Sequence, residues 1–411
     1  MDVTTRTGPD PVPAVTVVGM DAAGAPPHPV VAALLTDAAL VVGAARHLAA
    51  VAVPSGCPTV VLGPLAPAVD RIRAAVDAGT GVVVLASGDP GLFGVVRRLR
   101  AAGLAVRVLP AVSSVAAAFA RAGLPWDGAA VVTAHGRDLR PALNACRALP
   151  AVAVLTAPGA GAAEIAAGLA GWPRRLLVAE HLGTDRERVV DTTAAQAAGR
   201  AWADPHVLLS LAEPDPAGGM RADNQPAAAP AGGWALPESA YAHRDSMITK
   251  AEVRALVVAR LRPRLGRLVW DVGAGSGSVG IECALLGAAV VAVDRDPAAP
   301  VAANAARHGV RVRVVTGTAP DALAGLPDPD AVFVGGGGVE VLDAVVRRRP
   351  PRVVAALAAL DRVGPAVARL RAAGYTVDGS QLSAARLADL PGGSVRLAAT
   401  NPVVVLTGEC P

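Results

Sequence analysis

The chain has 411 residues, 53% of them hydrophobic but only 2% aromatic, and a formal net charge of +4. That length suggests two domains, or three, with cores built from Val, Leu and Ala rather than from rings. Lys250 is the only lysine among 38 Lys and Arg; so modest a charge without a basic tail argues against nucleic-acid binding.

Short β-branched runs alternate with Ala/Leu/Arg segments along the whole chain. They predict strands at 15–19, 60–63, 81–87, 106–110, 131–135, 151–156, 176–180 and 207–211. Residues 213–235 then read EPDPAGGMRADNQPAAAPAGGWA, a Pro/Gly/Ala-rich stretch without periodicity that marks a linker. Beyond it, Thr249 is placed to cap a helix from Lys250 to about Leu261, with Glu252 completing a capping box. Further strands are predicted at 268–272, 289–294, 312–316, 331–334, 352–357 and 402–407. Alternating strands and helices, with the strands apolar throughout, predict two α/β domains, 1–212 and 236–411, with parallel sheets covered on both faces.

No apolar run approaches the ~18 residues a membrane span needs, and Met1–Pro13 lacks a basic segment followed by an apolar one. Neither a span nor a signal peptide is expected. Cys57, Cys146, Cys283 and Cys410 are scattered without a CxxC pair, and no HExxH occurs. A cytoplasmic protein without disulfides or metal is the expectation.

The sharpest chemistry lies at 268–280, LVWDVGAGSGSVG. An apolar strand ends in Asp271, and Gly273, Gly275 and Gly277 follow where a chain must turn tightly beside a ligand. The next strand ends in Asp294, where a carboxylate can accept hydrogen bonds from a ribose. This is a nucleoside-cofactor pattern. Gly275, Gly277 and Gly280 also fit the dinucleotide fingerprint, and a turn that merely packs helix on sheet has the same composition. In the first half, ASGDPGLFG (86–94) follows an apolar strand. Around it, in order, stand Val15–Gly19, Val41-Val42-Gly43 with Arg46, LPAVSS (109–114), VVTAHGRD (131–138) and VLTAPG (154–159).

The D-x-G-x-G-x-G loop resembles the first motif of class I, Rossmann-like S-adenosylmethionine (SAM) methyltransferases. With SMITKAEVR (246–254), GTAPDAL (317–323), Phe333-Val334-Gly335-Gly336-Gly337-Gly338 and Asn401-Pro402, the second half resembles the precorrin-8w decarboxylase/methyltransferase domains of cobalamin biosynthesis. That resemblance implies SAM contacts from Thr249, Gly273, Ala274, Gly275, Ser276, Gly277, Asp294 and Ala319. It implies a tetrapyrrole beside Gly335, Gly336 and Gly337. The first half resembles the two-lobed tetrapyrrole methylases, whose SAM would meet Gly88, Asp89, Leu92, Ser113, Ser114, Thr156 and Ala157. Ser113 and Ser114 would equally cap the helix that follows. The family's GxGPG-like first loop is altered here to Gly19-Met20-Asp21-Ala22-Ala23-Gly24. Arg46, Arg137, Arg244 and Arg254 stand near motifs and suit a polycarboxylate substrate; His135 reads as structural, and Phe93 and Phe333 as ligand walls.

Together the halves resemble bifunctional SAM-dependent precorrin methyltransferases, with one SAM site per domain and no metal. The resemblance implies methylation of two ring carbons, decarboxylation of a ring acetate, and a homo-oligomer. No acid or base stands out. Two alternatives remain at this point: a first domain that only binds corrinoid, and an NAD(P)-dependent oxidoreductase built on Gly275–Gly280.

Overall fold

The structure, a computed structural model, describes residues 14–63, 65–213, 234–244 and 248–410. Most of the predicted linker, and Ser246 and Met247 of the SMITKAEVR motif, lie outside the described residues.

Five strands form the first sheet: β1 (Val15–Met20), β2 (Leu40–Gly43), β3 (Thr59–Val61), β4 (Val82–Ser87) and β5 (Val106–Leu109). Their order is β3-β2-β4-β1-β5, parallel throughout. The next lobe carries β6 (Ala130–Thr133), β7 (Ala151–Leu155), β8 (Arg174–Glu180), β9 (Arg188–Thr193) and β10 (His206–Ala212), ordered β6-β7-β10-β8-β9. Only β6 and β7 run parallel; the other pairs are antiparallel. The expectation of parallel sheets fails here, and for the β8–β9 pair the reason is local. The connection between Glu180 and Arg188 is too short for a crossover helix. The apolar strands report double coverage instead. Val152, Val154, Val178 and Leu208 face the helices Arg140–Ala148 and Ala162–Gly168, while Ala153, Leu177 and Leu209 face the helix Ser114–Ala122.

The second domain is built on β11 (Leu268–Val272), β12 (Ala289–Asp294), β13 (Arg313–Thr316), β14 (Ala331–Val334), β15 (Arg352–Leu357) and β16 (Thr376–Leu382). A hairpin, β17 (Ala385–Asp389) and β18 (Val395–Ala399), then leads to β19 (Val403–Glu409). The sheet order is β13-β12-β11-β14-β15-β19-β16, with β19 antiparallel to both neighbours. The chain winds outward from β11 to β13 and then returns to β14. This creates a topological switch point between β11 and β14, where open α/β sheets bind ligands. Trp270 and Leu268 point into one core, Val269 into the other.

The helix after the linker begins at Ala251, with Lys250 at its N-cap and no side-chain cap. The Thr249–Glu252 capping box does not form. Glu238 takes over, its carboxylate accepting from the Ala251 amide at 3.0 Å, and Glu252 pairs instead with Arg386 at 2.5 Å.

The two domains meet through the second lobe. Trp172 lies between the guanidinium groups of Arg147 and Arg313, 4.5 and 4.6 Å from its ring centre. Arg313 also donates to the Ala170 carbonyl (3.3 Å), and Arg311 to that of Glu213 (2.9 Å). Asn144 donates to the Gly266 carbonyl at 3.1 Å and Arg140 to the Asp328 carbonyl at 3.2 Å.

Candidate functional sites

Three glycines with positive φ carry the chain away from the tip of β11: Gly273 (75°), Gly275 (54°) and Gly277 (74°). Asp271 stays beneath them, wholly buried, one oxygen accepting from the Gly280 amide at 2.8 Å and the other without a partner. Burial pushes its pKa up to about 7, because the carboxylate has lost most of its water. Asp294 reaches back from β12. Its Oδ2 accepts from the Gly275 amide (2.7 Å) and its Oδ1 from the Asp296 amide (2.9 Å). Each oxygen keeps a second lone pair for a further donor. The Gly317 amide donates to the Asp294 carbonyl at 2.8 Å, which brings Ala319 to the same rim.

Across the switch point, the loop after β14 approaches so closely that a Cβ on Gly273 would stand 3.1 Å from the Gly336 nitrogen. A Cβ on Gly336 or Gly338 would meet nothing within 4 Å. Gly335, Gly336 and Gly337 are exposed. The result is an open groove floored by backbone, with a carboxylate at one end. Such a groove fits SAM: a backbone without side chains leaves room for the cofactor, and Asp294 can accept from its ribose hydroxyls.

In the first domain three strand tips converge. A Cβ on Gly19 would lie 2.3 Å from the Gly88 oxygen and 2.4 Å from the Ala111 nitrogen. The Gly88 amide donates to the Met20 carbonyl at 2.6 Å. Asp89 turns its own loop, accepting from the Gly91 amide at 2.8 Å. Ser113 caps the helix Ser114–Ala122 through the Ala116 amide at 3.1 Å, so the capping role is realised. Leu92 shares an apolar cluster with Leu155, next to Thr156 and Ala157 of the second lobe. Thr156 donates to the His206 carbonyl at 2.5 Å. The altered first loop is closed by Asp21, which accepts from the Ala25 amide at 2.8 Å. Across the cleft, the Arg137 guanidinium of the second lobe sits 5.9 Å from the Phe93 ring of the first. The glycine turn and the exposed Phe93 suit a folded nucleoside cofactor and a flat ligand.

Several expected residues stand elsewhere. Arg254 has no exposed surface; it pairs with Glu282 at 2.7 Å and donates to the Thr249 carbonyl at 2.7 Å and to the Leu236 carbonyl. A guanidinium so enclosed is a structural clamp, and its expected substrate role is corrected. Arg244 is paired with Asp296. Phe333 is 2% exposed and belongs to the core, so it is not a ligand wall. Arg46 does reach the first site, donating from Nη2 to Ser87 Oγ at 2.8 Å. Sequence reasoning missed its neighbour His47, buried at 4% exposure. The adjacency of Arg46 and His47 was visible; Ser87, forty residues on, is joined to them only by the sheet. Among the described residues no His/Cys/Asp/Glu cluster could hold a metal ion, and no helix is long and apolar enough to cross a membrane.

Comparison with known proteins matches the two halves of the chain to different families. A family model described as a precorrin methyltransferase domain matches residues 239–405, and one for tetrapyrrole (corrin/porphyrin) methylases matches 29–228. A Sinorhizobium precorrin-6Y C(5,15)-methyltransferase (decarboxylating) is 38% identical over 400 residues, covering 92% of this chain and 89% of its own. A Mycobacterium tuberculosis (strain CDC 1551 / Oshkosh) protein of the same name is 36% identical over 303 residues, 67% of each chain. The crystal structure of a precorrin-6Y C5,15-methyltransferase from Geobacter metallireducens GS-15 is 34% identical, covers 43% of this chain and 97% of its own, and superposes with a TM-score of 0.40.

Proposed function

The chain belongs to the decarboxylating precorrin-6Y C(5,15)-methyltransferases, and on that premise we propose that each of its two domains holds one SAM and performs its own share of the reaction. It is a SAM-dependent C-methyltransferase of cobalamin biosynthesis. Precorrin-6Y is methylated at ring carbons 5 and 15 and loses the carboxyl of the ring C acetate, giving precorrin-8X. In this reading the first domain, 1–212, methylates carbon 5. The second, 236–411, decarboxylates and methylates carbon 15.

The observation that carries the reading is the pair of glycine-lined grooves at the carboxyl ends of parallel strands, in two domains of different topology. In the second domain Gly273, Ala274, Gly275, Ser276 and Gly277 cradle the cofactor. Asp294 accepts from its ribose, and Thr249 and Ala319 flank it. Gly335, Gly336 and Gly337 let the macrocycle lie against backbone. In the first, Gly88, Asp89, Leu92, Ser113, Ser114, Thr156 and Ala157 surround the cofactor, while Arg46 and Arg137 meet substrate carboxylates. SAM supplies an activated methyl group, and the enamine-like meso carbons of the substrate supply the nucleophile. The protein's main task is therefore to hold reacting atoms ~3–3.5 Å apart and in line. The conjugated ring takes up the electron pair released as the acetate carboxylate leaves as carbon dioxide. We also propose a cytoplasmic homo-oligomer; the four cysteines are unpaired, as a reducing compartment requires.

Calorimetric titration with SAM tests the two-site reading. The full chain binds two equivalents and Asp294→Ala binds one. A single site abolished by Asp294→Ala would leave the first domain a binding module. Absence of SAM binding, with NAD(P) bound instead, would overturn the assignment.

A further inference from the structure

Behind the tip of β4, the helix Ala45–Ala49 sets Arg46 and His47 against Ser87. Ser87 is exposed and immediately precedes Gly88 and Asp89. Its Oγ lies 3.2 Å from His47 Nε2 and receives a hydrogen bond from Arg46 Nη2 at 2.8 Å. Arg46 Nε donates to the same His47 Nε2 at 3.3 Å. These bonds fix the protons. Nε2 must present its single lone pair, which the Arg46 Nε–H and the serine hydroxyl share, so the imidazole is neutral with its proton on Nδ1, a buried nitrogen without a hydrogen-bond partner. Arg46 occupies a lone pair of the serine oxygen, so the serine hydroxyl is free to donate to Nε2. The packing neighbours β2 and β3 carry no ionisable side chain, and β4 contributes only Ser87. Arg46 is the charged group that His47 faces. Burial, and then that guanidinium, hold the His47 pKa below its ordinary 6.5, which keeps it a base near pH 7.

Methylation of a meso carbon creates a task for such a group. The ring carbon's π pair forms the new C–C bond as the methyl–sulfur bond breaks, its pair going to sulfur. The sulfonium charge passes to the ring as an iminium. Neutrality returns only when the C–H bond of that carbon gives its pair back to the conjugated system and its proton departs.

We propose that Ser87 is the catalytic residue that receives this proton at carbon 5, handing its own to His47, with Arg46 steadying the serine oxygen. His47 acts through Ser87 and is a positioning and proton-holding residue; its imidazolium, next to Arg46, returns the proton to water through the exposed Ser87 hydroxyl. The proposal rests on the functional reading above, in which the first domain methylates carbon 5.

The test uses the full chain with SAM and precorrin-6Y, locating each new methyl group by NMR of the product. Ser87→Ala and His47→Gln should each lower carbon-5 methylation about 100-fold or more, within the range of general-base catalysis, with both SAM sites still titratable. The wild-type rate should rise with pH along a limb below 6.5, and His47→Gln should erase that limb. Because Ser87 is exposed, its alanine variant reports on chemistry rather than on folding. Carbon-5 methylation within threefold of wild type in Ser87→Ala, or an acid limb surviving in His47→Gln, would overturn the proposal. A wild-type chain that methylates only carbon 15 would overturn the functional reading itself, and the proposal with it.

Discussion

Replacing Arg254 separates a clamp from a ligand. Arg254 and Glu282 are both fully enclosed. Glu282 accepts from Arg254, from the Ala235 and Leu236 amides at 3.0 Å each, and from the Tyr241 hydroxyl at 3.2 Å. The pair thereby pins the segment entering the second domain. Removing one member of a buried pair costs about 3–5 kcal/mol. Arg254→Leu should fall near the lower end, since three donors remain to solvate Glu282. Glu282→Leu should cost more, because it strands the guanidinium and also leaves amides without acceptors at about 1–3 kcal/mol each. At roughly 2–4 °C per kcal/mol for a domain of this size, Arg254→Leu lowers its melting temperature by about 6–12 °C. The double leucine variant recovers only the part of the Glu282→Leu loss that comes from the stranded guanidinium, since the Ala235 and Leu236 amides still lack their acceptor. Differential scanning calorimetry of the full chain reads all three. A melting temperature within 2 °C of wild type for Arg254→Leu, with a raised KM for the tetrapyrrole, would refute the clamp and restore a substrate contact.

Gly19→Ala forces a methyl into two backbone groups that cannot swing aside; we expect a loss of about 1–3 kcal/mol or more and a SAM titration reduced to the second domain's site. Gly277→Ala puts a side chain at φ 74° and 2.7 Å from Val301 Cγ1; the strain of about 1–2 kcal/mol should appear as a lower melting temperature of the second domain. The Arg386 hydrogen bonds, above all, hold the Glu238 carboxyl down to about 2. Its stabilisation is therefore full above the ordinary carboxylate pKa and lost as pH falls through about 2. Arg386→Ala should be destabilised at pH 7, and its deficit relative to wild type should shrink between pH 4.5 and 2 in thermal melts.

The apolar strands 268–272, 289–294, 331–334 and 352–357 could be read to the residue because each is buried on both faces, and no competing helix period fits runs so short. Strand direction in the second lobe could not, since burial on two faces says nothing about which way a neighbour runs. The edge strand β16, TVDGSQL, and the hairpin behind it escaped notice for the opposite reason: half exposed, they lack an apolar run. At the sites, the glycine loops and Asp294 were legible because backbone conformation and strand ends are local properties. Arg254 was misplaced because its neighbours in sequence are motif residues, whereas its neighbours in space are Glu282 and Tyr241. His47 carries no local signal, because the partner that gives it meaning comes from another strand.

The contact between the domains is built from arginines that address carbonyl oxygens and the faces of Trp172, with few carboxylates among their partners. Salt screens exposed pairs of opposite charge within about a Debye length, but it has little purchase on a guanidinium stacked against an indole or capping a peptide oxygen. A protease cut inside the stretch between Glu213 and Trp234 should therefore leave the two fragments travelling together through high-salt chromatography, the covalent tether being only one of two fastenings.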